Sequence, residues 1–277
     1  MDVYIIRKIK DKLTRVLICL ALLTALIPLF TILGEVTLKG ISSININFLT
    51  HSTPTVGEAN GGVANAIQGT LITVGLASAI GVPIGIMSGI FLSEFSEHKL
   101  SLAVRFFNDV LNGFPSIVIG IFGYTLVVLS VGFSVIAAAF ALSIIMIPIV
   151  TKTTEEALKL VPATIREAAI ALGIPKWKTI VTVVLSGAKK GIATGSLLSL
   201  ARIAGESAPV LITMGYWRWW FAGLDKPAAN LALNIYIFAI SPFEGWKALA
   251  WGSSLVLIVL ILSINVAVRV FTREKYK

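Results

Sequence analysis

The chain has 277 residues, of which 56% are hydrophobic and only 13% charged, with a formal net charge of +9 and a mean hydropathy of +0.91. A soluble domain carries about 25% charged residues, so this composition excludes an ordinary soluble globular protein and points to a bilayer. The basic excess does not indicate a nucleic-acid partner, because the Lys and Arg residues gather at the ends of apolar runs, where they set membrane orientation.

A basic tail, residues 1–15, precedes the first apolar run, Val16–Leu38. That run is longer than the core of a signal peptide and no small-residue cleavage site follows it, so a retained helix is expected. Its cysteine, Cys19, is the only one in the chain and reads as a small apolar filler; His51 and His98 stand alone in polar loops, so no metal site is expected. A polar, turn-rich connection over 39–66 contains Pro54, Gly57, Gly61 and Gly62. Ile67–Leu92 is the second span. Val110–Ser130 and Val131–Val150 form one stretch that would reach about 60 Å as a single helix, twice the hydrocarbon thickness. It must therefore fold back, with the turn expected at Gly132. The fifth and sixth spans are Gly191–Thr213 and Ala248–Val270, and residues 271–277 form a tail. Between them, Met214–Lys247 opens with Tyr216-Trp217-Arg218-Trp219-Trp220-Phe221, aromatic residues that suit a membrane interface better than a sugar- or base-binding surface.

The expected architecture is thus all-α, a polytopic membrane protein with about six transmembrane helices. Eighteen Lys and Arg fall in the N-terminal tail, the connection after the second span, the loop 151–190 and the C-terminal end, including Arg273, Lys275 and Lys277. Only Lys39, Arg218, Lys226 and Lys247 fall on the other side. This asymmetry puts both termini and the loop 151–190 in the cytoplasm.

That loop is patterned. Pro162 suits a helix start, Ala163–Leu172 is rich in helix formers, Gly173 fits a C-cap, and Pro175 opens a second helix over Lys176–Ser186. In the fifth span, Arg202 lies near mid-membrane, where an unpaired arginine costs about 2.5–3.5 kcal/mol on insertion scales. Glu206 is one turn further on the same face and Ser199 adds a hydroxyl to that stripe. Gly191, Gly195 and Gly205 allow close approach, and Pro209 removes a backbone hydrogen bond. The pair is either a self-neutralised packing element or the lining of an aqueous path in which the guanidinium attracts an oxyanion. Pro115 is a kink or a hinge.

Glu167-Ala168-Ala169, then Leu172-Gly173, then Val183 and Leu185, resembles the Glu-Ala-Ala loop of ABC importer permeases. Leu200-Ala201-Arg202-Ile203-Ala204-Gly205-Glu206-Ser207-Ala208-Pro209 closely resembles a segment of the phosphate-specific permeases, as do Gly113-Phe114-Pro115-Ser116-Ile117-Val118 and Asn65-Ala66-Ile67-Gln68-Gly69-Thr70. Ser186 stands where the family usually has proline, which leaves the bend at the head of the fifth span open.

The resemblance implies a type I ABC importer permease domain over about 63–268, in the plasma membrane. It implies the shorter of two paired permeases of a phosphate importer, forming a heterodimer with the longer one. A cytoplasmic ATPase dimer would grip Glu167, Ala168, Ala169 and Gly173, and an extracytoplasmic phosphate-binding protein would deliver substrate. Arg202, Glu206 and Ser199 would line the path, with Pro115 and Pro209 as hinges. No Gly-x-x-x-x-Gly-Lys-Ser/Thr and no catalytic triad occur, so the chain is expected to be a non-catalytic subunit that binds no cofactor, ATP being used by its partner. A sulfate, molybdate or tungstate permease is the nearest alternative, and an ATP-independent channel or secondary transporter a more distant one.

Overall fold

The computed structural model describes residues 3–55 and 61–272; Asp2, Gly57, Arg273, Lys275 and Lys277 lie outside them. The described residues are helical or irregular, with no strand. In chain order the helices are α1 (Val3–Ile41), α2 (Ile46–Thr50), α3 (Ala64–Glu94), α4 (Lys99–Gly113), α5 (Ser116–Gly123), α6 (Leu129–Val131), α7 (Val135–Lys159), α8 (Ala163–Ala171), α9 (Lys176–Thr179), α10 (Leu185–Ala204), α11 (Ala208–Thr213), α12 (Leu231–Ala239) and α13 (Glu244–Thr272). π turns at Tyr124–Val128 and Ile180–Val184 join α5 to α6 and α9 to α10 without a break.

Helix α7 is the spine. Between helices in lipid there is no hydrophobic drive, so contact depends on close packing of small residues. Two glycine rows supply it. On α3, Gly81, Gly85 and Gly89 lie against Met146, Val150 and Thr154; a Cβ at Gly85 or Gly89 would come within 2.6 Å of the Cβ of its partner. On α10, Gly187, Gly191 and Gly195 lie against Val161, Ala157 and Thr153, with a Cβ at Gly191 only 2.6 Å from that of Ala157. Both rows repeat every four residues, so each presents one face of its helix. Ala138, Leu142, Ile145, Met146 and Val150 of α7 are buried as a result.

The ends of α7 are fixed by polar contacts. The first N–H groups of a helix lack internal partners. Here Val135 and Ile136 donate to the carbonyls of Lys226 (3.0 Å) and Leu224 (3.1 Å), and Ala137 donates to Ser134 Oγ (3.3 Å). The aromatic-rich connection therefore folds back over α7. Towards the other end, buried Glu155 receives Arg105 of α4 (2.8 Å) and Lys159 (2.5 Å).

Several sequence expectations change. The third span does not begin at Val110: α4 ends at Gly113 and the chain turns by 106° before continuing as Ser116–Val131. Pro115 precedes α5 rather than kinking a helix, because proline disfavours helical geometry in Phe114 before it. Gly132 is the turn, at φ +89. The fourth span runs on to Lys159, so the patterned loop is shorter than 151–190. The second loop helix and the fifth span are one uninterrupted run from Lys176 to Ala204, since Ser186, unlike proline, keeps its N–H and lets the helix pass. The fifth span ends at Ala204, not Thr213. The connection 214–247 contains α12, which is too short to stand out as a span. Among the described residues, four helices are long and apolar enough to cross a bilayer, or five counting the bent pair Lys99–Gly113 and Ser116–Val131 as one span. The remaining expected span, α10, carries Lys189, Lys190 and Arg202 along its 20 residues.

Replacing Gly85 by Val overpacks the α3–α7 contact. It should cost about 1–3 kcal/mol, read as a lower melting midpoint in detergent. Gly75, on the same helix, faces open space, so Gly75→Ala should leave the midpoint unchanged or raise it. Equal midpoints for the two variants would show that the glycine row does not set the packing.

Candidate functional site

The segment Leu200–Pro209 contains the interruption between α10 and α11, at residues 205–207. Proline at 209 has no N–H and its ring would clash with the carbonyl four residues back, so the helix cannot continue through it. Gly205 closes α10, its N–H bonded to Arg202 O at 3.1 Å, and the Glu206 N–H bonds Ile203 O at 3.2 Å. Pro209 itself stands in the first turn of α11, where no N–H is needed; it does not remove a bond from the middle of a helix. It packs on α5, where a Cβ at Gly120 would lie 2.8 Å from its Cα.

Arg202 is in the last turn of α10, a position that favours a cation. Its Nε lies 3.7 Å from Glu206 Oε1, an ion pair beyond hydrogen-bonding distance. The arginine side chain is 50% exposed and the glutamate 17%, so the guanidinium keeps open donors while its counter-charge is sheltered. Arg202 borders a cavity of about 370 Å³ together with Asn112 of α4, Lys152, Thr153 and Glu156 of α7, and Leu198 of α10.

Lys152 and Glu156 make no ion pair among the described residues, and Asn112 keeps its amide unbonded within them. Thr153 already gives its proton to Ile149 O (2.9 Å). Ser199, expected beside Arg202, is instead buried and donates to Ser196 O at 2.8 Å; it does not border this cavity. Lys152, Glu156 and Asn112 were not singled out from the sequence. Four residues separate Lys152 from Glu156, which puts them on one face, but only the antiparallel packing of α10 on α7 shows that this face meets Arg202.

The loop residues occupy a second site at the end of the bundle where α7 finishes. Glu167 and Ala168 are exposed on α8, and Ala169 is buried against the bundle. Gly173 adopts φ +77; its N–H bonds Ile170 O (2.9 Å) and that of Ile174 bonds Ala169 O (3.2 Å), a left-handed helix stop that glycine suits. Around it Leu172 is 81% and Trp177 67% exposed.

At the opposite end, Asn65 accepts from the backbone N–H and the hydroxyl of Thr53 (both 3.1 Å) and donates to Arg218 O (2.5 Å). Thr70 accepts from the Leu231 N–H at 2.9 Å, and Gly69 admits the Ala229 carbonyl where any side chain would collide. The Asn65–Thr70 segment therefore ties the extended connections to α3. Burial raises the Tyr216 pKa, with Arg218 nearby pulling it down.

Residues 81–275 match the family of binding-protein-dependent transport system inner membrane components. The phosphate transport system permease protein PstA of Yersinia pestis is 43% identical over 98% of this chain and 92% of its own length. The protein of that name from Pasteurella multocida is 42% identical over 98% and 97%. The chain belongs to this permease family. Among solved structures, a bacterial ABC transporter for import of the acidic polysaccharide alginate superposes with a TM-score of 0.64, at 16% identity, over 96% of this chain and all of that one. The inward-facing MetNI methionine transporter gives 0.59 at 20% identity over 76% and 94%. These likenesses place the fold among the ABC importer permeases.

Thiol labelling checks the geometry around the break. With Cys19 replaced by Ala, Arg202→Cys should react with a water-soluble maleimide at least tenfold faster than Ser199→Cys. Equal rates would contradict the separation of the two residues.

Proposed function

We propose that this chain is a transmembrane subunit of an ATP-driven importer of inorganic phosphate, and that the wall formed by Arg202, Lys152 and Asn112 is part of the path. The observation that carries the reading is a half-exposed arginine at an interrupted helix, bordering a cavity, inside a segment that resembles one of the phosphate-specific permeases. A planar guanidinium meets two oxyanion oxygens at once. Irregular backbone in a membrane protein is tolerated where it is buried in protein or lines a cavity. Glu206 holds Arg202 and weakens its grip enough for release. As a carboxylate it also accepts a hydrogen bond from the P–OH of hydrogen phosphate, a donor that sulfate lacks.

The rest of the assembly follows from the family and from α8. The second permease completes the path, a binding protein delivers phosphate from outside, and an ATPase dimer docks on Glu167, Ala168, Ala169 and Gly173, with exposed Leu172 and Trp177 beside them. This subunit performs no hydrolysis and binds no cofactor of its own. The basic asymmetry puts both termini and α8 in the cytoplasm.

Uptake by vesicles containing the chain with its permease partner, ATPase and binding protein tests the reading. Arg202→Gln should retain assembly and lose about 10- to 100-fold in uptake, the worth of roughly 1.5–3 kcal/mol for a hydrogen bond to a charged group. Lys152→Gln should lose severalfold. Glu206→Gln should narrow the preference for phosphate over sulfate. Normal uptake by Arg202→Gln would make the ion pair purely structural, and uptake without ATP would make the protein a channel or secondary transporter.

A further inference from the structure

We infer that Arg166 is a positioning residue that locks the α8–α9 hairpin to the ends of α3 and α7, so that movement of the hairpin is passed into those two helices. The inference rests on the reading of this hairpin as the ATPase-docking element, and it concerns a residue and a contact that neither the sequence motif nor the docking face includes.

Arg166 adjoins Glu167 but points the other way. Its Nη1 donates to Val161 O at 2.6 Å, and its Nη2 donates to Leu158 O at 2.8 Å and to Glu94 Oε1 at 3.0 Å. The first two acceptors are carbonyls where α7 ends; Leu158 O also takes the Val161 N–H at 3.1 Å. The third is the last residue of α3. The Glu94 side chain is only 7% exposed and that of Arg166 22%, so the pair is shielded from solvent. A guanidinium reaches acceptors on two helices because its donors fan out in a rigid plane; a lysine ammonium offers no such fork.

The other arm of the hairpin grips the same corner. Lys176 of α9 donates to Glu94 O at 3.3 Å and sits 4.5 Å from the centre of the Phe95 ring. Both arms thus close on Glu94 and Phe95, where α3 stops. Beneath them, Leu158, Val161, Val184 and Ala188 form a separate apolar cluster packed against Ile86 and Ile90 of α3. The hairpin is held by charge at its rim and by apolar packing below. A contact serving α8 alone would need only the carbonyls of α7. The buried carboxylate of Glu94 adds α3, the helix that the glycine row binds most closely to α7.

Two measurements test this. In the purified permease pair without ATPase, chymotryptic cleavage at Leu172 and Trp177 should be at least fivefold faster in Arg166→Gln than in wild type. In the complete transporter, stimulation of ATPase activity by phosphate-loaded binding protein should fall at least fivefold in Arg166→Gln while the ATPase still co-purifies. Glu94→Gln, close to isosteric, should lose about half of the stimulation, and Arg166→Lys should recover only part of it. Unchanged cleavage would overturn the lock. Faster cleavage with wild-type stimulation would reduce it to local folding and overturn the transmission. If Arg166→Gln does not assemble, wild-type stimulation in Glu94→Gln overturns the inference on its own. Failure of the wild-type permease pair to bind the ATPase would defeat the docking reading itself, and is seen without any variant.

Discussion

Everything in this bundle depends on how closely α3 and α10 approach α7. Three glycines on each side, spaced four apart, remove the side chains that would hold the helices apart, and backbone contact replaces the hydrophobic drive that lipid does not provide. The tight packing fixes the axial register of the helices. Gly195 meets Thr153 and Gly191 meets Ala157, and in that antiparallel register Arg202 stands level with Met146. Lys152 then lies six residues nearer α8, roughly 9 Å along the axis. Each side chain leans toward the N-terminus of its own helix, so in this antiparallel pair Arg202 and Lys152 lean toward one another and border one cavity.

The second governing feature is the stop after Ala204. A continuous helix would have carried Glu206 one turn above Arg202 on the same face. The turn at Gly205 and Glu206 instead leaves the ion pair at 3.7 Å with the arginine open to the cavity. The break is sustained from outside the segment as well, because α11 presses Pro209 into the space that Gly120 leaves on α5.

Much of this was legible in the sequence, for reasons that differ by residue. Gly132 and Gly173 announce themselves because a left-handed backbone favours glycine, and both take positive φ. The fold-back between the third and fourth spans followed from length alone. The Arg202–Glu206 pair followed from the cost of a charge in a bilayer. Boundaries were less legible: Pro115 and Pro209 signal a disruption but not whether it bends a helix or ends one, and hydropathy does not register α4 as a separate helix lying across the bundle. Ser199 was misplaced because spacing of three along a helix is neighbourly without fixing which side faces water. Lys152, Asn112, Glu94 and Arg166 were invisible as a set, since each gains its role from a residue far away in sequence.

The uninterrupted run from Lys176 to Ala204 has a mechanical meaning. At 1.5 Å per residue it is a rod of about 40 Å, with the surface hairpin at one end and Arg202 at the other. Its glycine contacts with α7 fall near the middle, at Gly191 and Gly195. The rod is held a second time at its hairpin end, where Lys176 donates to Glu94 O of α3. A tilt of only a few degrees shifts each end by on the order of 2 Å over such a length. A pull on the hairpin would tilt this helix together with α3 and α7, and would displace Arg202 with them.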